Sequence, residues 1–261
     1  MILNTTQPVY FISDLHLGAG YIPRPREHEE RVVRFLESLH GRASEFIMVG
    51  DVLDYWFEYR TVVPRGHVRF FGALARLADS GVKITWLTGN HDIWLFDYLR
   101  EEIGLTVADG PVERDILGRR FYISHGDREG EPTRGFRFIQ WLFRNRFTQK
   151  LYSGIHPRWT VGFAHRWSSS SRDFANYRPP EFNAAGEPLV NFCRDYQRAH
   201  APLGKAADYF VFGHRHTLAE YSGFTPPATM IILGDWITRN SYGVFDGNEF
   251  SLHIFEGNDK K

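Results

Sequence analysis

Short apolar runs alternate with helix-length amphipathic stretches through the first hundred residues of this chain. The runs VYFIS (9–13), EFIMV (45–49) and KITWLT (83–88) have the length and composition of buried strands. Apolar residues at helical spacing follow each run, at 27–39, 67–78 and 93–103. Further strands are predicted near 112–116, 120–124, 209–212, 229–233, 242–245 and 250–255. This alternation predicts an α/β fold with parallel strands joined by helices.

Five of the predicted strands end at residues that can bind a metal ion. These residues are Asp14 and His16, Asp51, Asn90 with His91 and Asp92, His125 with Asp127, and His214 with His216. Sites in open α/β sheets usually lie beyond the carboxyl ends of the strands. Alternate residues of an extended segment point the same way, and the glycines before Asp51, Asn90 and His214 allow sharp turns. One such strand end is ordinarily a solvated loop, but five together predict a common site.

Seven carboxylate, amide or imidazole ligands suit two divalent cations better than one. We predict that Asp51 is shared by both ions. The first site would add Asp14, His16 and His216, and the second would add Asn90, His125 and His214. These ligands suit Mn²⁺, Fe²⁺ or Zn²⁺ more than Mg²⁺ or Ca²⁺, and we expect manganese. Two ions roughly 3.5–4 Å apart can clamp a phosphate and activate water, which predicts phosphoester hydrolysis.

The motifs D-x-H, G-D, G-N-H-D, H-G-D and G-H-x-H occur here in that order. In this the chain resembles the calcineurin-like metallophosphoesterases, from Phe11 to about Leu233. The resemblance implies a four-layer α/β/β/α sandwich, with two mixed sheets face to face and helices outside. It also implies the ligand partition given above. Finally, it implies that His91 faces the phosphate and that Asp92 orients this histidine.

The interval between the H-G-D and G-H-x-H motifs is too long for a simple connection. Residues 134–178 hold nine Arg or Lys and one acidic residue, although the whole chain has a net charge of zero. Apolar residues recur at helical spacing at Phe136, Ile139, Phe143, Phe147 and Leu151. We therefore predict a helical, basic and aromatic cap insertion at 131–204, on a core made of 1–130 and 205–261.

The predicted insertion has two interpretations. It can simply pack on the core through its aromatic residues, or it can grip an amphipathic substrate. For the second interpretation the candidate contacts are Trp141, Leu142, Phe143, Arg144, Arg146, Phe147, Arg166 and Arg172.

Within the larger family the chain is most similar to the UDP-2,3-diacylglucosamine hydrolases of lipid A synthesis. The shared features are GDVLDYW (50–56), LGDW (233–236) and the basic aromatic insertion after H-G-D. The resemblance implies hydrolysis of the pyrophosphate of an amphipathic lipid nucleotide to UMP and 2,3-diacylglucosamine 1-phosphate. The chain departs from many of these enzymes at His91, where they have arginine.

Two other functions compete with this one. A nuclease, or another phosphodiesterase or phosphatase acting on a soluble substrate, could use the same metal site, with aromatic residues to stack bases. The helical spacing of the apolar positions favours a lipid groove over nucleic acid. A scaffold without activity would not need seven ligands together with His91.

The sequence also bears on location. A single cysteine, Cys193, excludes an internal disulfide and fits a reducing compartment. We see no signal peptide and no run of about 18 apolar residues. We expect a cytoplasmic protein, or one peripheral on the cytoplasmic face of the inner membrane with the cap insertion against the lipid.

Overall fold

A computed structural model describes residues 7–130, 133–157 and 181–256 of the chain. The helices are Pro25–Ser38 (α1), Val68–Asp79 (α2), Tyr98–Ile103 (α3), Arg134–Arg144 (α4), Arg146–Ser153 (α5) and Pro188–His200 (α6), and a 3₁₀ turn follows at Ala201–Leu203. The strands of the first half are Val9–Ile12 (β1), Glu45–Val49 (β2), Lys83–Leu87 (β3), Thr106–Ala108 (β4), Val112–Ile116 (β5) and Arg119–Ser124 (β6). Those of the second half are Tyr209–Phe212 (β7), Leu218–Tyr221 (β8), Thr229–Leu233 (β9), Ser241–Phe245 (β10) and Phe250–Ile254 (β11).

The strands form two mixed sheets. The first sheet has the order β11-β10-β1-β2-β3-β4, with β1 to β4 parallel and β10 and β11 antiparallel to their neighbours. The second has the order β5-β6-β7-β9-β8, with β6, β7 and β9 parallel. The parallel strands of each sheet end at the same edge, where the predicted ligands follow β1, β2 and β3 in one sheet and β6 and β7 in the other.

Helices cover the outer face of each sheet, which confirms the predicted four-layer α/β/β/α sandwich. Apolar side chains of α1 and α2 pack on the first sheet, and those of α6 pack on the second. Between the sheets lies an apolar layer that includes Phe11, Phe121 and Phe245. The ring of Phe121 stacks on Phe11 at 6.0 Å and meets the edge of Phe245 at 4.9 Å. This layer holds the two sheets face to face, so their carboxyl ends can meet.

The predicted helix at 93–103 was wrong at its start, because α3 begins only at Tyr98. The buried carboxylate of Glu58 accepts hydrogen bonds from the backbone N–H groups of Phe96, Asp97 and Tyr98. These bonds hold 93–97 as a loop, and the indole of Trp94 in this loop donates to a carbonyl oxygen of α4. The short strands β4 and β8 were also not predicted.

Within the predicted insertion, α4 and α5 form a helical pair that we call the cap helices. Asn145 joins them, and its side chain accepts hydrogen bonds from the backbone N–H groups of Phe147 and Thr148 in the first turn of α5. The helix α6 also falls inside 131–204, yet Leu189, Val190 and Cys193 pack on the second sheet. The division into a core and an insertion at these boundaries stays a prediction.

In the parts of the chain that the structure describes, none of the helices combines the length and the apolar character needed to cross a bilayer.

Candidate metal centre

The backbone at the predicted ligands is bent in an unusual way. Five of the seven have left-handed backbone angles, which residues other than glycine rarely adopt. They are Asp14 (φ 54°), His16 (47°), Asp51 (51°), His214 (65°) and His216 (55°). Each such residue costs roughly 1–2 kcal/mol. The extended segments assumed from the sequence are therefore bent, although the paired side chains still meet. Strain of this kind is typical of functional sites, where the surrounding structure holds it in place.

Two of the glycines at the strand ends are required by close approach. A Cβ at Gly89 would lie 2.1 Å from a carboxylate oxygen of Asp51. A Cβ at Gly213 would lie 1.9 Å from the Ser13 hydroxyl and 2.7 Å from Asp14 Oδ2. Neither space can hold a side chain. Gly89 thus lets two ligand loops of the first sheet touch, and Gly213 lets a ligand loop of the second sheet touch one of the first.

The structure brings six of the seven predicted ligands, those other than Asn90, close together. Ligand atoms of Asp14, His16 and His216 lie within 4.8 Å of one another, as do those of Asp51, His125 and His214. His16 and Asp51 form a third such group with His91. The distance from His125 Nε2 to Asp51 Oδ2 is 3.2 Å, and that from His16 Nε2 to the same oxygen is 3.8 Å. Asp51 thus lies between the two groups, where a shared ligand would have to be.

The polar atoms of this cluster fit divalent metal ions. Asp14 and Asp51 are completely buried. Although some of them lie at ion-pair distance from each other, several buried atoms make no hydrogen bond among the described residues, including Asp14 Oδ1, His16 Nε2, Asp51 Oδ2, Asn90 Oδ1 and His125 Nε2. Buried polar groups without partners are costly, and each of these atoms is a good metal ligand. These atoms therefore fit divalent metal ions.

The charges of the cluster depend on one another. Burial alone would raise the pKa of Asp51, but the imidazoles of His125 and His91 hold that pKa well below its usual value. Burial alone would lower the pKa of His125, but the Asp51 carboxylate raises it well above its usual value. Burial likewise opposes the protonation of His16, yet Asp14 and Asp54 raise its pKa to about 9. Without metal, the protonated imidazoles compensate for the buried carboxylates at neutral pH.

Three of the predicted ligand imidazoles have a polar group near their other nitrogen. Nδ1 of His125 lies 2.9 Å from the carbonyl oxygen of Val49. Nδ1 of His16 lies 3.5 Å from Asp54 Oδ1, and Nδ1 of His216 lies 3.7 Å from Asp235 Oδ2. The first contact fixes the orientation of the His125 imidazole, and the two carboxylates lie on the side of His16 and His216 where a partner of a metal-binding imidazole is usually found. Sequence reasoning missed the roles of Asp54 and Asp235, although both lie in the quoted stretches GDVLDYW and LGDW.

The contacts of His91 and Asp92 differ from the expected ones. Asp92 accepts hydrogen bonds from the backbone of Gly89, Asp51 and Val52 and from the indole of Trp86. Asp54, and not Asp92, contacts the imidazole of His91, whose Nδ1 lies 3.0 Å from the Asp54 carbonyl oxygen. Asp92 therefore shapes the loop at Asp51. The role expected for it, contact with the His91 imidazole, belongs to Asp54 instead.

A cavity of about 560 Å³ opens beside Asn90 and His91 and runs under the cap helices. Its mainly apolar wall includes Tyr55, Ile93, Trp94, Ile139, Leu142, Phe143 and Tyr152. Polar groups at its edge are Asp54, Asp127, Gln140 and Arg144. Sequence reasoning missed the part of the wall that the core contributes, since those residues precede the insertion by about 40 to 80 positions.

The predicted substrate contacts divide into three sets. Leu142, Phe143 and Arg144 line the cavity. Trp141, Arg146 and Phe147 are exposed and lie outside its wall. Arg166 and Arg172 lie outside the residues that the structure describes.

The chain matches a known protein family and is similar to individual named enzymes. The model of the calcineurin-like phosphoesterase family matches residues 7–218. The chain is 38% identical over 260 residues to the UDP-2,3-diacylglucosamine hydrolase of Porphyromonas gingivalis, covering 95% of this chain and 97% of that one. It is 28% identical over 237 residues to the enzyme of the same name from Ralstonia nicotianae, covering 90% and 85%.

Metal binding should release protons, because a metal-bound imidazole must be neutral. Since the pKa values of His16 and His125 are raised, both residues are protonated at pH 7 in the metal-free protein. Mn²⁺ should therefore displace about two protons per chain at pH 7, and fewer as the pH rises through about 9. Calorimetric titration in two buffers of different ionisation enthalpy measures this number. A binding enthalpy that does not depend on the buffer would contradict it, and exposed His253→Gln should leave the number unchanged.

Proposed function

The chain belongs to the calcineurin-like phosphoesterase family, and we propose that it hydrolyses the pyrophosphate bond of UDP-2,3-diacylglucosamine. The products would be UMP and 2,3-diacylglucosamine 1-phosphate. The observation that carries this proposal is the apolar cavity, which opens directly beside Asn90 and His91. An amphipathic substrate needs a polar site and an apolar cavity side by side, because its phosphates and its acyl chains must be bound at the same time.

The size and chemistry of the cavity support an acyl chain as its occupant. About 560 Å³ is within the usual range for ligand pockets. Each methylene that leaves water for such a wall contributes about 0.8 kcal/mol. The aromatic wall is held in place from both sides: the Trp94 indole donates a 2.8 Å hydrogen bond to the Phe143 carbonyl, and the hydroxyls of Tyr55 and Tyr152 lie 3.3 Å apart. A preformed apolar wall of this kind suits alkyl chains better than a nucleic acid strand.

Arg144 is the cap residue best placed to meet a phosphate. Its guanidinium is half-buried, contacts Asp109, and donates to the carbonyl oxygen of Gly89 at 3.3 Å. Gly89 directly precedes the ligand Asn90, so the guanidinium lies at the junction of the cavity and the metal centre. A planar guanidinium pairs well with phosphate oxygens. We assign Arg144 to the diphosphate rather than to the acyl chains.

The cluster would hold two ions, with manganese proposed for both. Asp14, His16, Asp51 and His216 would hold one ion, and Asp51, Asn90, His125 and His214 the other. When bound, such ions polarise the phosphoryl oxygens and lower the pKa of water to near neutrality. Asp54 and Asp235 would orient the imidazoles of His16 and His216 once the ions are bound, and Asp92 holds the Asp51 loop.

His91 acts on the substrate in this proposal. Its Nδ1 faces the Asp54 carbonyl oxygen, which leaves Nε2 for the substrate, and the residue lines the cavity beside Asn90. A protonated imidazole there can stabilise charge that develops on the phosphoryl oxygens or donate a proton to the leaving group.

The cap helices would also contact an acidic lipid surface. Phe138, Trp141, Phe147 and Leu151 are each about 60–70% exposed, and Arg146 and Lys150 lie among them in the sequence. Exposed aromatic residues with basic neighbours suit the headgroup region of a bilayer with anionic lipids. The acyl chains could then pass from the bilayer into the cavity. We propose that this contact is made on the cytoplasmic face of the inner membrane, a reducing side on which the free, buried thiol of Cys193 would persist.

Removing apolar surface from the cavity should weaken binding of the lipid nucleotide alone. Ile139→Ser with Leu142→Ser should raise KM for UDP-2,3-diacylglucosamine at least about tenfold, which corresponds to about 1.4 kcal/mol. Neither residue belongs to the buried aromatic cluster under the cap, so folding should be little affected. Hydrolysis of a nitrophenyl phosphodiester, which needs no acyl site, should stay near the wild-type rate.

The controls separate the competing functions. His91→Gln should lower kcat on both substrates by about 10²–10⁴-fold. Mass spectrometry should detect UMP as a product of the wild type with Mn²⁺ present. A wild type that degrades single-stranded DNA and leaves the lipid nucleotide intact would replace this proposal with the nuclease.

Membrane contact can be tested with variants outside the cavity. The double variant Trp141→Ser, Phe147→Ser should bind phosphatidylglycerol vesicles at least about tenfold more weakly than the wild type. Co-sedimentation over a range of lipid concentrations measures this affinity. The same variant should keep the wild-type rate on the soluble diester. Leu203→Ser, which removes an exposed apolar residue far from the cap helices in the sequence, should sediment like the wild type. Equal sedimentation of all three proteins would refute the contact.

A further inference from the structure

Arg215 stands between the two ligands His214 and His216 and has no role in the function proposed above. Its side chain contacts Glu187, the residue that precedes α6, and is not part of the cavity wall. Nε and Nη2 of Arg215 both donate to Oε2 of Glu187, at 3.1 and 3.0 Å. The Glu187 side chain is only 9% exposed, whereas that of Arg215 is 38% exposed.

The backbone around Arg215 needs an anchor. His214 and His216 on either side both have left-handed backbone angles, and Arg215 N donates to the carbonyl oxygen of Gly213 at 2.7 Å. Such a loop keeps its shape only if contacts from outside hold it. Asp14 of the first sheet supplies one contact, since its Oδ2 accepts from His214 N at 2.8 Å. The Arg215–Glu187 pair supplies another, from the start of the helix that covers the second sheet.

Glu187 lies where the chain returns from the cap to the core. Its Oε1 accepts from the N–H of Leu189 and so caps α6. The chain leaves the core for the cap near the same place. Gly130 lies just before the cap, and a Cβ built on it would be 3.8 Å from the Cβ of Pro188, the residue that follows Glu187. The Arg215–Glu187 pair therefore connects the place where the chain returns to the core with the loop that carries two of the seven ligands.

We propose that Arg215 is a positioning residue that holds His214 and His216 in their metal-binding geometry through Glu187. This rests on the ligands assigned in the proposed function. Both nitrogens of Arg215 share one carboxylate oxygen, and the pair is partly exposed, so its contribution to overall stability is small. Its effect is local, on the two imidazoles that the loop presents.

Calorimetric titration of the metal-free, full-length protein with MnCl₂ tests the inference. Arg215→Gln should raise the Kd for Mn²⁺ by about 10–100-fold, the usual effect of losing a partner that orients metal ligands. Its melting temperature without metal should change by less than about 2 °C. Glu187→Gln should weaken binding equally, and the double variant should be no weaker than either single one, because one interaction is lost in all three. Arg215→Lys, which keeps the charge and one donor, should recover part of the affinity.

The control is Arg198→Gln on α6, which removes an exposed pair with Asp195 and should leave the Kd unchanged. A wild-type Kd in Arg215→Gln, or additive losses in the double variant, would overturn the inference and leave the proposed function intact. If Arg215→Gln does not fold, a wild-type Kd in Glu187→Gln would overturn the inference in the same way. A wild type that binds no Mn²⁺ would overturn both.

Discussion

Two carboxylates, Asp14 and Asp51, are completely buried where the carboxyl ends of the two sheets meet, and buried charge has to be compensated. The compensation comes from imidazoles on both sheets, with His16 on one side and His125 on the other. Bringing these groups together requires the loops to touch, which is why glycine occupies 89 and 213. It also requires left-handed backbone at five ligands, a cost that a purely structural cluster would not justify. The proposed pair of divalent ions would account for these features together, because it would supply positive charge in place of the imidazole protons and would bind the buried atoms that make no hydrogen bond.

The cap helices form part of an apolar cavity that lies next to this polar centre. Trp94, just after the G-N-H-D motif, contacts Phe143 and Tyr152 of the cap at ring distances of 5.4 and 5.0 Å. The same short segment of the core thus carries the proposed metal ligand Asn90, the proposed substrate-facing imidazole of His91 and part of the apolar cavity wall at Ile93 and Trp94. This continuity explains how one site could hold a diphosphate and an acyl chain together. In the proposed function, the cap helices are therefore part of the substrate site.

Much of this arrangement could be predicted from the sequence because its signals are local. Strand periodicity placed β1, β2, β3 and β7 to within a residue or two, and the ligands follow those strands directly. The start of α3 could not be predicted, since the carboxylate that holds residues 93–97 as a loop comes from Glu58, about 40 positions earlier. Trp141 and Leu142 are neighbours in the sequence, yet only Leu142 lines the cavity, because consecutive residues of a helix face different directions. The partners of Asp92 and the pairing of Arg215 with Glu187 likewise depend on tertiary contacts that no local pattern encodes.

The central claim, that the buried cluster is a two-metal centre, is tested most directly by X-ray diffraction from crystals of the manganese-loaded protein at the manganese absorption edge. The anomalous map should contain two peaks roughly 3.5–4 Å apart with Asp51 between them. One peak should lie among Asp14, His16 and His216, and the other among Asn90, His125 and His214. A single peak, or peaks away from these side chains in fully active protein, would contradict the account.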